Sequence, residues 1–157
     1  MSKLSVGILL YRFEGGICQV LLVHPGGPFW VNRDNGAWSI PKGLSELSNS
    51  HIKEAIRELQ EETGCALASD EKFIGLGRIR QSSKKVVQIW GVEKDFDTTL
   101  FSSNTFQMEW PRNSGQMEEF PEVDRIGWFG LEEAKKKILN SQIPFLIKIE
   151  EILNINY

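Results

Sequence analysis

The chain has 157 residues, of which 41% are hydrophobic and 25% charged, and its formal net charge is −3. That length and composition suit one globular domain, read as spanning residues 1–157, with a sizeable core. The acidic balance argues against a broad electrostatic footprint for nucleic acid, and no apolar run reaches the roughly 18–20 residues of a membrane-spanning helix.

The chain opens on two β-rich runs, "LSVGILLYRF" and "ICQVLLVHP", joined across "EGG", which predicts a hairpin rather than a signal peptide with a cleavage site. Cys18 and Cys65 lack metal-type spacing and read as free thiols in a reducing compartment, so a cytoplasmic protein is expected. His24 and His51 are isolated, and a structural or surface reading outweighs a zinc site. "GGPFWVNRDNGAW" combines Gly, Pro, Asn-Gly and aromatics and predicts a loop that carries function. "WSIPKG" is a short extended piece. An acidic helix follows over Ser50 to Thr63, closed by Gly64 as a C-terminal cap. "FIGLGRIRQ" and "KVVQIWGVEKDF" predict a strand pair around "SSK", and "SSNTFQMEWPRNSGQMEEFPE" reads as irregular. "VDRIGWFG" closes the strand set. "LEEAKKKIL" and "IPFLIKIEEIL" predict helices, the second with Pro144 near its first turn. The order implies an α/β fold with a mixed sheet covered by helices.

The acidic helix carries Glu54, Glu58, Glu61 and Glu62. At about 100° per residue they fall within roughly 100° of one another, and Ile52, Ile56, Leu59 and Thr63 form the expected buried face. A solvated polar face would interleave Lys or Arg at i+3 or i+4, yet the neighbours of Glu58 at those spacings are Glu54, Ala55, Glu61 and Glu62. Like charges kept on one patch predict a cation there. Mg²⁺ takes a few carboxylates together with water and substrate phosphates.

From Gly43 to Cys65 the sequence reads G-x5-N-x7-R-E-L-Q-E-E-T-G-C. This run resembles the box of the Nudix family, G-x5-E-x7-R-E-U-x-E-E-x-G-U with U aliphatic, and departs from its polar and glycine positions at Asn49 alone. "PKG" before it and "PEVDRIGWFGLEEA" after it are also similar to the family. The resemblance implies a Nudix-type α/β/α sandwich that hydrolyses a phosphoanhydride in a nucleoside diphosphate-linked small molecule, with Mg²⁺ or Mn²⁺. It implies that Glu58, Glu61 and Glu62 are metal ligands, that Glu61 also serves catalysis, and that Arg57 orients a glutamate. Gly43 would bring its backbone close to metal or phosphate. Glu122 is the first candidate for a further ligand or base, ahead of Glu118 and Glu119. Glu54 is expected beyond the ligands or at the surface, and Asn49, like Ser48 and Ser50, is a candidate helix cap.

"WSIPKG" is similar to the segment that precedes the box in the dinucleoside polyphosphate branch of the family. Lys42 would then contact phosphate, Arg33 would help line the groove with Arg78, Arg80, Lys84 and Lys85, and Trp30 with Phe29 would offer a base-stacking surface. Trp38, Trp90 and Trp128 read as core. The open alternatives are another Nudix substrate (a nucleoside triphosphate, a nucleotide sugar or a diphosphoinositol phosphate) and a binding module without turnover.

Overall fold

The computed structural model describes residues 3–45 and 50–155. β1 (Lys3–Glu14) and β2 (Ile17–Pro25) form the expected hairpin, with Tyr11 to Glu14 paired to Val20 to Ile17. Both strands are apolar on both faces because the sheet is covered on both sides. Successive side chains go to opposite layers: Val6, Ile8 and Leu10 pack in one core with Ala55 and Leu59, while Leu9 and Tyr11 pack in the other with Phe145 and Ile149. Helix α1 (His51–Thr63) covers the first layer. Helices α2 (Leu131–Lys137) and α3 (Ile143–Leu153) cover the second, which gives the α/β/α sandwich.

The main sheet runs β4-β5-β1-β2-β8, where β4 is Ile74–Ser82, β5 is Lys85–Glu93 and β8 is Val123–Gly130. Among the described residues, only the β1–β5 ladder in it is parallel. The β4–β5 pair forms where the sequence predicts it.

The feature that makes the site is a fork in this sheet. β2 pairs with β1 only at the hairpin end and then turns away to pair with β8. The chain from Trp38 fills the gap: Val23 N–H donates to Ser39 O at 2.9 Å and Ile8 N–H to Pro41 O at 3.2 Å. The segment ends as β3 (Lys42–Leu44), antiparallel to Ser5–Gly7 of β1. Gly7 permits this approach, because a Cβ there would overlap Pro41 O and come within 2.7 Å of Lys42 Cβ. Buried Gln142 fixes the same segment by accepting from Ile40 N–H at 2.9 Å.

Three expectations change. The stretch read as irregular contains a hairpin of its own, β6 (Thr105–Glu109) with β7 (Met117–Pro121), whose turn is held by the Glu109 carboxylate accepting from Asn113 N–H at 2.9 Å and Gly115 N–H at 3.2 Å. The buried face of α1 is also not the one predicted. Glu54 and Glu58 are buried together with Ala55, Leu59 and Thr63, while Ile52 and Ile56 are only half-buried, because the glutamate edge lies against β1 and β3. Glu54 is therefore not a surface residue. Trp38 is buried as expected, but Trp90 and Trp128 are half-buried at the margin of the α1-side core. Gly64 caps α1 in the left-handed conformation as predicted, with φ 86°. Ser50 stands at the N-cap without a side-chain cap bond, and Ser48 and Asn49 lie outside the described residues.

Gly7→Ala should lower stability by about 1–3 kcal/mol, the usual cost of overpacking. At this chain length each kcal/mol lowers Tm by roughly 2–4 °C. Thermal unfolding checks this, and an unchanged Tm would show that β3 does not need the close approach.

Candidate active site

α1 is oriented by contact with β3. Gly43 lies directly under Glu58, and a Cβ at Gly43 would overlap the Glu58 carboxylate. One residue earlier, Lys42 N–H donates to Glu62 Oε1 at 3.2 Å. Arg57 bridges the outer glutamates, with Nη2 3.2 Å from Glu58 Oε1 and Nη1 2.9 Å from Glu61 Oε1. Glu122 reaches the same region through the chain just past the main sheet. Ser102 N–H donates to Thr63 O at 3.1 Å, Asn104 N–H to Glu61 O at 2.9 Å, and Glu122 N–H to Asn104 O at 2.8 Å. Residues 102–104 thus splice the start of β8 to the end of α1.

A cavity of about 220 Å³ opens here, and Trp30, Ser39, Lys42, Glu62 and Glu122 are among its walls. A neighbouring depression of about 410 Å³ is lined by Arg57, Gln60, Glu61, Ser102 and Asn104. Glu61 and Glu62 therefore face different hollows. Of the residues singled out in the sequence, Trp30, Lys42, Glu62 and Glu122 share one cavity, and Gly43 with Glu58 lies beside Lys42. Arg33 is exposed, its guanidinium 5.5 Å from the Trp30 ring centre. Arg78 and Arg80 bond locally, to Gln88 and Ser83, and line neither hollow. Glu118 and Glu119 are exposed on β7.

The electrostatics follow from crowding and burial. Burial pushes the Glu62 carboxyl up to about 8, against the Lys42 N–H bond that favours its charged form. Burial also raises Glu58, opposed by Arg57 and reinforced by Glu61 and Glu122. Glu122 is raised by burial and by Glu61. Burial lowers the Lys42 ammonium, opposed by Glu62, and Lys85 lowers it further. Glu58, Glu61, Glu62 and Glu122 suit a hard divalent cation in kind, since all their donors are carboxylate oxygens. Their orientation differs from a closed coordination sphere. Among the described residues no three such side chains are gathered to hold an ion, because Glu58 and Glu61 turn toward Arg57 and Glu62 toward Lys42 N–H.

The NUDIX domain model matches residues 1–148. The chain belongs to the Nudix family. It is a pyrophosphohydrolase of that family, which acts on nucleoside diphosphate-linked substrates and generally uses divalent cations. No curated protein matches this Nudix chain significantly. Among solved structures, a C. elegans Ap4A hydrolase binary complex aligns with TM-score 0.68 and 20% identity over 96% of this chain and 98% of that one. A mutT/nudix protein from Listeria innocua aligns with TM-score 0.63 and 18% identity, covering 97% and 94%. The NUDIX domain of Shewanella oneidensis NrtR, complexed with ADP ribose, aligns with TM-score 0.63 and 17% identity, covering 98% and 89%. At these identities the likeness establishes the shared fold.

Three contributions to this Nudix site were not read from the sequence. Ser39 lines the cavity, Gln142 anchors the segment that bears it, and residues 102–104 carry Glu122 to α1. None of the three carries a local signal, since each acts through a tertiary contact.

Glu62 gives a pH test. Its folded-state value of about 8 exceeds the ordinary 4.5, so its contribution to stability is fully present below about 4.5 and is lost as pH rises toward 8. In metal-free buffer, the Tm of the wild type relative to Glu62→Gln should fall across that window. A difference that stays flat would contradict the burial of this carboxyl.

Proposed function

We propose that the protein hydrolyses dinucleoside polyphosphates with Mg²⁺, Mn²⁺ substituting. The observation that supports this best is the cavity that sets Lys42, Glu62 and Glu122 beside Trp30. Glu58, Glu61 and Glu62 would hold the cation, with Gly43 leaving room for Glu58. The bound cation would neutralise phosphate oxygens and acidify water. Arg57 keeps Glu58 and Glu61 in place while they exchange its bonds for other partners. Lys42 presents a point charge to a phosphate oxygen. A Glu122 carboxylate oxygen accepts the proton of the attacking water as its oxygen bonds to phosphorus and the bridging P–O bond breaks. Burial, and then crowding by Glu61, increases the proton affinity of Glu122, as a base requires. Trp30 stacks on a base, and Arg33 lies over its ring to meet the distal phosphates. A small nucleotide is thus the expected partner; no described helix is long and apolar enough to cross a membrane.

Glu58→Gln and Glu61→Gln should each lower kcat by on the order of 10²-fold, the scale of lost transition-state stabilisation. EDTA should abolish turnover, and full turnover in EDTA would contradict the cation assignment.

Substrate choice is tested by steady-state kinetics on diadenosine tetraphosphate, ATP, an oxidised guanosine triphosphate, ADP-ribose and a diphosphoinositol phosphate. The tetraphosphate should show the highest kcat/KM, and Lys42→Ala should reduce that value more than it reduces ATP turnover. Faster hydrolysis of another substrate would reassign the class, and binding without turnover would favour a nucleotide-binding module.

A further inference from the structure

We propose that His24 is a positioning residue that sets the Trp30 loop over the cavity by holding the Arg33 backbone. His24 lies at the end of β2 and is fully buried. Its Nδ1 is 2.7 Å from Asp124 Oδ1 and its Nε2 is 2.6 Å from the Arg33 carbonyl oxygen. Both partners are acceptors. Nε2 donates to the Arg33 carbonyl, while Nδ1 holds the ring against the Asp124 carboxyl group. An apolar side chain leaves the Arg33 carbonyl without this donor.

The position of this bond makes it matter. Trp30 and Arg33 belong to one tight turn closed from within, with Trp30 N–H donating to Gly27 O at 3.3 Å and Arg33 N–H to Trp30 O at 2.9 Å. Phe29 leans on the β6–β7 hairpin, its ring 5.5 Å from that of Trp110. The later part of the loop is fastened separately, by Asp34 accepting from Trp38 Nε1 at 2.8 Å and from Lys137 Nζ at 2.6 Å. His24 links the turn itself to the main sheet. The same ring grips Asp124, two residues past Glu122, and Gly26 N–H donates to Glu122 O at 2.9 Å. One buried side chain therefore sets the spacing between Trp30 on one cavity wall and Glu122 on another.

The inference rests on the reading of Trp30 as a substrate contact for its kinetic consequence, but not for its structural one. Asparagine and glutamine divide the two bonds. The amide nitrogen of Asn reproduces Nδ1, and that of Gln reproduces Nε2. His24→Gln keeps a donor for the Arg33 carbonyl, whereas His24→Asn keeps one for Asp124 and drops the loop.

The experiment compares both variants by hydrogen exchange without substrate and by steady-state kinetics on diadenosine tetraphosphate. In His24→Asn, amides of residues 27–33 should exchange at least about tenfold faster while those of β1 and α1 do not. KM should rise about three- to tenfold, the scale of one lost buried hydrogen bond, with kcat changed less. His24→Gln should lie close to the wild type. Equal exchange of residues 27–33 in wild type and both variants overturns the proposal, as does uniform loss of protection across the fold. Should neither variant fold, Asp124→Ala, which removes the partner of Nδ1 at a partly exposed site, must speed exchange in the same loop or the proposal fails. Trp30→Ala separates the two readings. If it leaves KM unchanged while His24→Asn still frees the loop, the stacking assignment falls and the positioning role stands.

Discussion

The close approach of Gly43 to Glu58 is the contact on which the site depends. It presses a helix bearing four glutamates edge-on against a sheet, so carboxylates that a solvated helix would point at water are buried or half-buried. Desolvation and like-charge neighbours then raise the proton affinity of Glu58 and Glu62, and Arg57 with the Lys42 backbone supplies the nearest compensation. An arrangement of this kind is costly as a structural motif. It is economical if a divalent cation joins it, because one ion answers several desolvated charges.

The fork between β1 and β2 places the rest. A continuous β1–β2 ladder would leave no room for residues 38–44, and Lys42 would not stand beside Glu62. Gly7 and Gln142 are needed far from any chemistry for the same reason: one lets β3 approach, and the other ties down the segment that leads into it. Helix, fork and loop thus meet around one cavity, while the second hollow past Glu61 is bounded by residues 102–104.

Much of this was legible in the sequence, for physical reasons. β1 and β2 are continuous apolar runs because both faces are covered, and the Gly64 cap and the Pro144 helix start follow from backbone restrictions that act locally. The wheel of α1 grouped the glutamates correctly but put the buried face on Ile52 and Ile56. Hydrophobicity marks the buried edge only when nothing polar is pressed against the protein, and here β3 presses on the glutamates. The hairpin of β6 and β7 was missed because its strands are short and largely exposed, so composition resembled a loop. His24 was read as structural or surface; it is buried, and its partners, Asp124 and the Arg33 carbonyl, are set by tertiary register that no local pattern encodes.

In the proposed function, Gly43 keeps space for a cation-binding Glu58. Titration of Mn²⁺ into wild type and Gly43→Ala, followed by electron paramagnetic resonance, tests it most directly. Wild type should bind the ion, and the added Cβ, by displacing the Glu58 carboxylate, should weaken binding by about tenfold or more, since one lost charged ligand is worth at least the ~1.4 kcal/mol of a tenfold change. Equal Mn²⁺ affinity in the two proteins would contradict the claim.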